Sequence, residues 1–427
     1  MSGSGRRAEK LPPLTFENTP GLWTPMRFFL AAPVFGMLAA GLLFFGHGAL
    51  PLMRWAPAAL AATHLWTLGF ITMTMLGALW QVLPVLLGVI LPRREWLSAI
   101  VFGLLTSGAL ALAAAFIMQT PWLFGVALAV LEPTLLLVAV GLGLAGLRAT
   151  QAIESARVIR LALAGLAVPA ALGGWLAAGH AGGQAARQWT SYHVAWGVAG
   201  WALMLVIGVS RQVLPMFLTT PPYPRRASLL LAIALFSVLL ASGPTPGSDR
   251  LIPWLGCAAT LGYAGLTATL LLRRRRRQRD ISQWFWLLGM TTLALGAIAA
   301  ASPDVNNALA GIWLLAGFAG SVINGMLYKI APFLVWLHLR LPALLGRLPP
   351  GVKRVNPNIH EIIPPGRQAG QFALHLTAIL LLSGAVFSGE LIRPGAAALF
   401  LSQWLLLINL LHALRIHKKF VGRTTTV

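Results

Sequence analysis

Nine histidines are the residues in this chain best suited to chemistry, because most of them lie in or beside long apolar stretches. A membrane interior gives a polar ring few idle uses. His64 opens the stretch HLWTLGFITMTMLGALWQVLP, residues 64–84, and His193 stands near the start of a related stretch that ends at Pro215. His47 and His180 fall at the edges of apolar runs. His338, His375, His412 and His417 fall near one end of the last three runs, and His360 lies in a segment rich in proline and arginine. A neutral imidazole is a good axial ligand for iron, and two from facing helices hold a b-type haem. Imidazole also suits copper. His64 is the first candidate ligand, for haem or copper, and His193 the second. His375 and His412 form a weaker second metal site. The plain alternative for each is an interfacial histidine bonded to a neighbouring helix.

Glu132 is the one carboxylate deep in an apolar run, so it must be protonated, paired or functional. Arg211, Lys329 and Asn324 are placed to meet a cofactor propionate or a carboxylate, unless the two cations simply reach for the headgroups. Trp66, Trp196 and Trp313 lie beside the histidine level, where they can wall a flat cofactor. Trp23, Trp55, Trp96 and Trp122 read as interfacial anchors. No Walker loop, CxxCH or clustered acidic metal site occurs.

The elements that position these residues show themselves by repetition. Gln81-Val82-Leu83-Pro84 returns as Gln212-Val213-Leu214-Pro215, and in weaker form as Lys329-Ile330-Ala331-Pro332. Seven residues before each proline stands a glycine: Gly77, Gly208, Gly325. Fifteen before stands another: Gly69, Gly200, Gly317. Glycine lets a second helix, or a flat cofactor, approach the backbone. Gly69, Gly77, Gly200 and Gly208, with Arg211, are therefore candidate cofactor-binding residues. His64 and His193 stand 20 and 22 residues before their prolines. A two-residue offset turns a helical side chain by about 200°, so the two rings are not required to play equivalent roles.

Composition sets the class. Hydrophobic residues make up 57% and charged residues 10% of 427, which fits a polytopic membrane protein rather than soluble domains. Apolar runs at about 28–46, 57–91, 96–118, 121–147, 158–179, 189–218, 227–242, 252–272, 283–301, 308–338, 370–389 and 394–416 predict an all-α bundle of about twelve transmembrane helices. The repeated helices are the second, sixth and tenth. This implies three pseudo-symmetric four-helix repeats, at about 25–147, 155–272 and 281–416, within one membrane domain. Each repeated helix is expected to end at its proline corner. Residues 339–369 read as a loop on the cytoplasmic surface.

The net charge of +22 does not signal nucleic acid, because the basic residues alternate with apolar runs. Arg93-Arg94, Arg148, Arg225-Arg226, the run Arg273 to Arg277, Arg347 and Arg367 all follow even-numbered spans. Arg6, Arg7, Lys10, Lys418 and Lys419 flank them at the two ends. The other loops carry only scattered charges, such as Arg54, Asp249, Arg250, Asp304 and Glu390. The positive-inside rule places both termini in the cytoplasm of a bacterial inner membrane. Cys257, alone, excludes an intrachain disulfide, and no cleavable signal peptide is evident.

Twelve spans in three quartets, with an outward-side histidine on span two followed by Gly-x7-Gly-x6-Pro, resemble subunit I of the haem–copper oxidases. They also look like the NnrS family, haem- and copper-containing membrane proteins tied to nitric oxide metabolism. The resemblance implies His64 as a span-two haem ligand and puts His193 on the span that supplies a copper ligand in the oxidases. It also departs from them. Span seven has no histidine, residues 307–318 hold no His-x-His, and Gly197 stands where many oxidases have tyrosine. The expectation is thus a haem-binding membrane protein without the oxygen-reducing copper site, acting in nitric oxide handling or electron transfer beside respiratory or denitrification proteins. A permease with Glu132 and Arg211 lining its path, and a cofactor-free assembly partner of a respiratory complex, are the other readings.

Overall fold

A computed structural model describes residues 16–46, 53–91, 93–182, 187–242, 251–276, 278, 280–348 and 352–426. His47, Asp249, Arg250, Arg277 and the basic residues at positions 6, 7 and 10 lie outside them. The described residues form twelve long helices: α1 Trp23–Phe45, α2 Pro57–Leu86, α3 Arg94–Met118, α4 Pro121–Ala145, α5 Ile153–Ala181, α6 Thr190–Leu218, α7 Ala227–Ala241, α8 Ile252–Leu272, α9 Ile281–Ala301, α10 Asn307–Leu344, α11 Pro365–Ala385 and α12 Ile392–Phe420. Proline pre-set for a first turn opens α2, α4 and α11. Asp280 caps α9 by accepting from the Ser282 N–H, and Asn306 caps α10 by accepting from the Ala308 N–H.

Ten of these helices are long and apolar enough to cross a membrane, so the chain is a multi-pass membrane protein with a helical bundle fold. The expected number was twelve. The other two are α7, with 15 residues, and α11, whose first turns carry Arg367, Gln368 and Gln371. A second difference concerns α10. Pro332 does not end it, and the helix runs twelve residues further to Leu344. A proline costs one backbone hydrogen bond. Here the helix continues because Leu334, Val335, Leu337 and Leu339 beyond it are all buried. The predicted loop 339–369 therefore begins as helix. Further on, β1 Val352–Arg354 pairs antiparallel with β2 Thr424–Thr426. α2 and α6 do stop close to their prolines. After α2, Gly88 takes a positive φ of 68°, and the Leu87 carbonyl accepts from the N–H groups of Thr150 and Gln151.

The packing recurs every four helices. α1 lies along α2, α5 along α6 and α9 along α10. α3 packs on α4, α7 on α8 and α11 on α12. α4 leads onto α5, α8 onto α9, and α12 closes the ring on α1. The second, sixth and tenth helices meet one another inside. At the shared glycines the helix that precedes each inner helix in sequence presses in. A Cβ on Gly77 would lie 2.7 Å from Phe28, one on Gly208 3.0 Å from Ile159, and one on Gly325 2.8 Å from Phe285. These glycines serve close helix approach.

The inner helices share one more feature. Each is α-helical at both ends and π-helical between, over Leu65–Thr72, Trp196–Leu203 and Ile312–Gly320. All three π stretches end twelve residues before the proline, and each contains the first glycine of the motif. The i→i+5 bonding widens the turn, a departure that concentrates at functional sites.

Candidate functional site

Alternating helix direction puts the starts of α2, α4, α6, α8 and α10 at one face, the face poor in arginine. Beneath that face, between α2 and α6, lies a cavity of about 790 Å³. Its volume is within the range of small-molecule and cofactor sites. The walls are mostly apolar. The polar groups on them include His64, His180, His193, Glu132 and Thr67. A pocket of about 1050 Å³ at the surface shares Arg54, Trp55 and Asn307 with it. The cavity is thus approached from the arginine-poor face.

His64 and His193 are brought together. Their ring centroids are 6.2 Å apart with 28° between the planes. The two-residue offset in the motif is real, but two different faces of two different helices converge on the space between them. His64 Nδ1 lies 2.7 Å from the Leu60 carbonyl oxygen, and His193 Nδ1 lies 3.0 Å from that of Pro169. A carbonyl only accepts, so Nδ1 carries the proton in both rings. The Nε2 lone pair is left as the basic site of each neutral ring, the arrangement found in metal-ligating histidines.

The rings are held by what surrounds them. Phe116 of α3 stacks on His64 at 5.0 Å, and Phe124 of α4 stacks on His180 at 5.2 Å. Two adjacent glycines of α5 make the floor. A Cβ on Gly173 would lie 3.1 Å from His193 Cε1, and one on Gly174 would lie 2.5 Å from a Glu132 carboxylate oxygen. Imidazole and carboxylate thus each pack on a glycine of α5, where no side chain separates them from the helix.

His180 joins this group although its sequence position suggested only a loop edge. A signal was present: His180 and His193 flank a short connection between antiparallel helices, which returns them to one level. Tryptophan N–H groups tie the inner helices together just below. Trp66 donates to the Leu315 carbonyl in the π stretch of α10 at 3.0 Å, and Trp201 donates to Thr72 Oγ1 of α2 at 3.1 Å. Trp66 lines the cavity; Trp313 bonds instead to Ser383 Oγ, and Trp196 packs edge-on against Phe236.

Other expected residues lie elsewhere. Arg211 is at the arginine-rich end of α6, 3.1 Å from Glu154 in the first turn of α5, well away from Glu132. Lys329 of α10 makes a similar contact, 2.7 Å from Asp280 at the start of α9. Both cations meet carboxylates of the protein itself. Gly69 faces Phe35 of α1, and the Gly200 carbonyl faces Gly165 of α5, so helices fill the space at both.

His375 and His412 are not brought together. Gln371 bonds to Ser402 and Leu382 packs on Gly395, so α11 and α12 run antiparallel. At about 1.5 Å per residue this leaves the two histidines about 20 Å apart along the bundle. His375 is fully buried, with Nε2 3.1 Å from Ser321 Oγ and Nδ1 3.4 Å from Asn324 Nδ2. Among the described residues no group of three or more His, Cys, Asp or Glu is placed to hold a metal ion. Neither a protein-family profile nor any curated protein matches the sequence.

Proposed function

We propose that this is an inner-membrane protein, with both termini cytoplasmic, whose cavity takes a b-type haem through His64 and His193. It acts in nitric oxide handling or electron transfer on a scaffold of three repeated quartets like that of haem–copper oxidase subunit I. The observation that carries this reading is the imidazole pair, two rings 6.2 Å apart that line one cavity, each held through Nδ1 by a backbone carbonyl with Nε2 left uncommitted. Two histidines suit iron that already has four porphyrin nitrogens. They suit a bare copper ion less well, since a protein-ligated metal draws three or four ligands and, among the described residues, no group of three His, Cys, Asp or Glu is placed to hold one. Copper is therefore the secondary expectation. Arg54, which lines both the cavity and the outer pocket, is placed to meet a propionate.

When bound between two histidines, haem would supply one-electron chemistry. The chain's own contribution is to fix ring orientation through the Leu60 and Pro169 carbonyls. It also lines the cavity with apolar side chains and keeps Glu132 on its wall as a group able to hold a proton. The recurring packing, the π stretches and the glycine spacing support the threefold reading of the scaffold.

The test is a reduced-minus-oxidised spectrum of protein purified from cells supplied with haem, with copper measured by mass spectrometry on the same sample. A Soret band that disappears in His64→Ala is the expected result. A colourless wild type at stoichiometric protein would end the haem reading.

A further inference from the structure

The arginine-rich face is not uniform. The arginines that follow α2 and α4 stand beside Glu95 and Glu154 in sequence. The connections after α6 and α8 are different. Residues 219–226 end in Arg225-Arg226 and hold no carboxylate, and residues 273–280 set six arginines against Asp280 alone. That carboxylate is already engaged, 2.7 Å from Lys329 Nζ and 3.8 Å from Arg274. Glu154 at the start of α5 is engaged by Arg211 of α6. The Arg274 and Arg276 guanidiniums donate to Gln278. Among the described residues Arg225, Arg226, Arg273 and Arg275 make no ion pair, and all four are exposed.

Loose basic loops would do no more than orient the spans. These two are held in place. Pro221, Pro222 and Pro224 stiffen the first. Tyr223 between them is buried, with its hydroxyl 2.9 Å from Thr267 Oγ1 of α8. The Arg211 guanidinium donates to the Pro224 carbonyl at 3.3 Å. Thr219 ties the loops to each other: its carbonyl accepts from the Arg275 N–H at 3.0 Å, and its Oγ1 accepts from the Arg276 N–H at 3.3 Å. Thr219 and Arg226 take positive φ values of 53° and 63°. That conformation is costly for a residue with a Cβ and persists only where the surroundings enforce it. The four unpaired guanidiniums therefore leave a fixed backbone platform, two from each loop.

Arginine is the side chain best matched to phosphate, which it meets through parallel N–H bonds. Two pairs on one platform suit two phosphates, and a platform fixed in advance spends little binding energy on ordering. The helices that carry it, α7 and α8, pack on each other and expose Leu230, Ile233 and Leu272 next to it. Basic sites at helix ends, bordered by lipid-facing side chains, recognise anionic headgroups. An acidic protein or a nucleic acid would use the charge but not the leucines.

We infer that the connections α6–α7 and α8–α9 form a binding site for the headgroup of an anionic phospholipid with two phosphates, whose acyl chains lie against Leu230, Ile233 and Leu272. The site is at the opposite end of the bundle from the histidine cavity, and its occupancy does not depend on haem.

The experiment is native mass spectrometry of the full-length protein in detergent, titrated with tetra-acyl diphosphatidylglycerol or with phosphatidylglycerol at matched phosphate. The two-phosphate lipid is expected to bind at least tenfold more tightly. Arg225→Gln/Arg226→Gln/Arg275→Gln should weaken its binding more than tenfold. Arg93→Gln/Arg148→Gln/Arg157→Gln removes the same charge from the same face around α3 to α5, and should weaken it less than twofold. Equal weakening in the two triple variants means diffuse attraction to a basic surface and overturns the site. Equal affinity for the two lipids overturns the two-phosphate headgroup. Displacement of the bound lipid by inorganic pyrophosphate at matched phosphate makes this a site for free phosphate and overturns the lipid. If the first triple variant fails to fold, the two lipids and the pyrophosphate competition on the wild type decide by themselves.

Discussion

Two buried histidine environments in one bundle differ in what they leave undone. Around His64 and His193, each ring has one nitrogen committed to a backbone carbonyl, and both line open space. Around His375, both nitrogens face side-chain partners and the ring is fully enclosed. The walls differ in the same sense. Gly173 and Gly174 keep side chains away from the first site, whereas serine, asparagine and glutamine crowd the second. A site able to take a ligand keeps its donors oriented and its volume empty; the His375 ring instead has its polar atoms met by side chains that both donate and accept.

The largest effect that can break this contrast is on haem content. On the proposed haem reading, His64→Ala or His193→Ala removes an axial donor, and each is expected to lower bound haem more than tenfold in a pyridine haemochrome assay. His375→Ala should keep haem within twofold of wild type. Bleaching by His375→Ala with retention in both others would reverse the assignment of the two sites. Gly173→Leu sharpens the same contrast. Its side chain must displace the His193 ring, whose Cε1 lies 3.1 Å from the added Cβ, and a several-fold fall in haem content is expected without loss of expression.

Much of the helical architecture was legible because it rests on apolar run length, and the starts and ends of the runs at 57–91, 96–118 and 252–272 lie within a few residues of the helices. The glycine and proline columns marked the inner helices, because close approach demands a residue without a side chain. The continuation of α10 past Pro332 was not legible. A proline predicts a stop from local sequence, while buried leucines and valine from a later segment hold the helix on course. The π stretches were hidden for a similar reason, since no single residue type encodes an i→i+5 turn. Within the site, His64, His193 and Glu132 could be named from burial cost alone. Their convergence depended on which helices are neighbours, which a single sequence does not state. The separation of His375 from His412 was hidden likewise, because nearness to one membrane face says nothing of depth.

A smaller effect tests the ion pair at the arginine-rich end of α10. Lys329 and Asp280 are about one-fifth exposed, so their pair is partly screened. Lys329→Met leaves the Asp280 carboxylate only the more distant Arg274, 3.8 Å away, and is expected to lower stability by about 1 kcal/mol, read in a denaturation series in detergent. Asp280→Asn should do the same. The double variant should recover most of the loss, and a cycle without coupling would show that the pair contributes nothing. Haem content should not change in any of the three, because this contact lies at the far end of the bundle from the cavity.

The smallest effect belongs to the Trp201 bond. Trp201→Phe keeps the ring packing and removes one indole N–H donated to Thr72, a buried neutral hydrogen bond that contributes about 1 kcal/mol. Spread over a chain of this size, that predicts a fall in melting temperature of roughly 1–2 °C. Thr72 and Trp201 both line the cavity, on α2 and α6 respectively. If the bond only adds stability, haem content follows wild type. If it sets the spacing between the helices that carry His64 and His193, the haem absorption maximum shifts while Trp313→Phe, which loses a bond to Ser383 instead, leaves it unmoved.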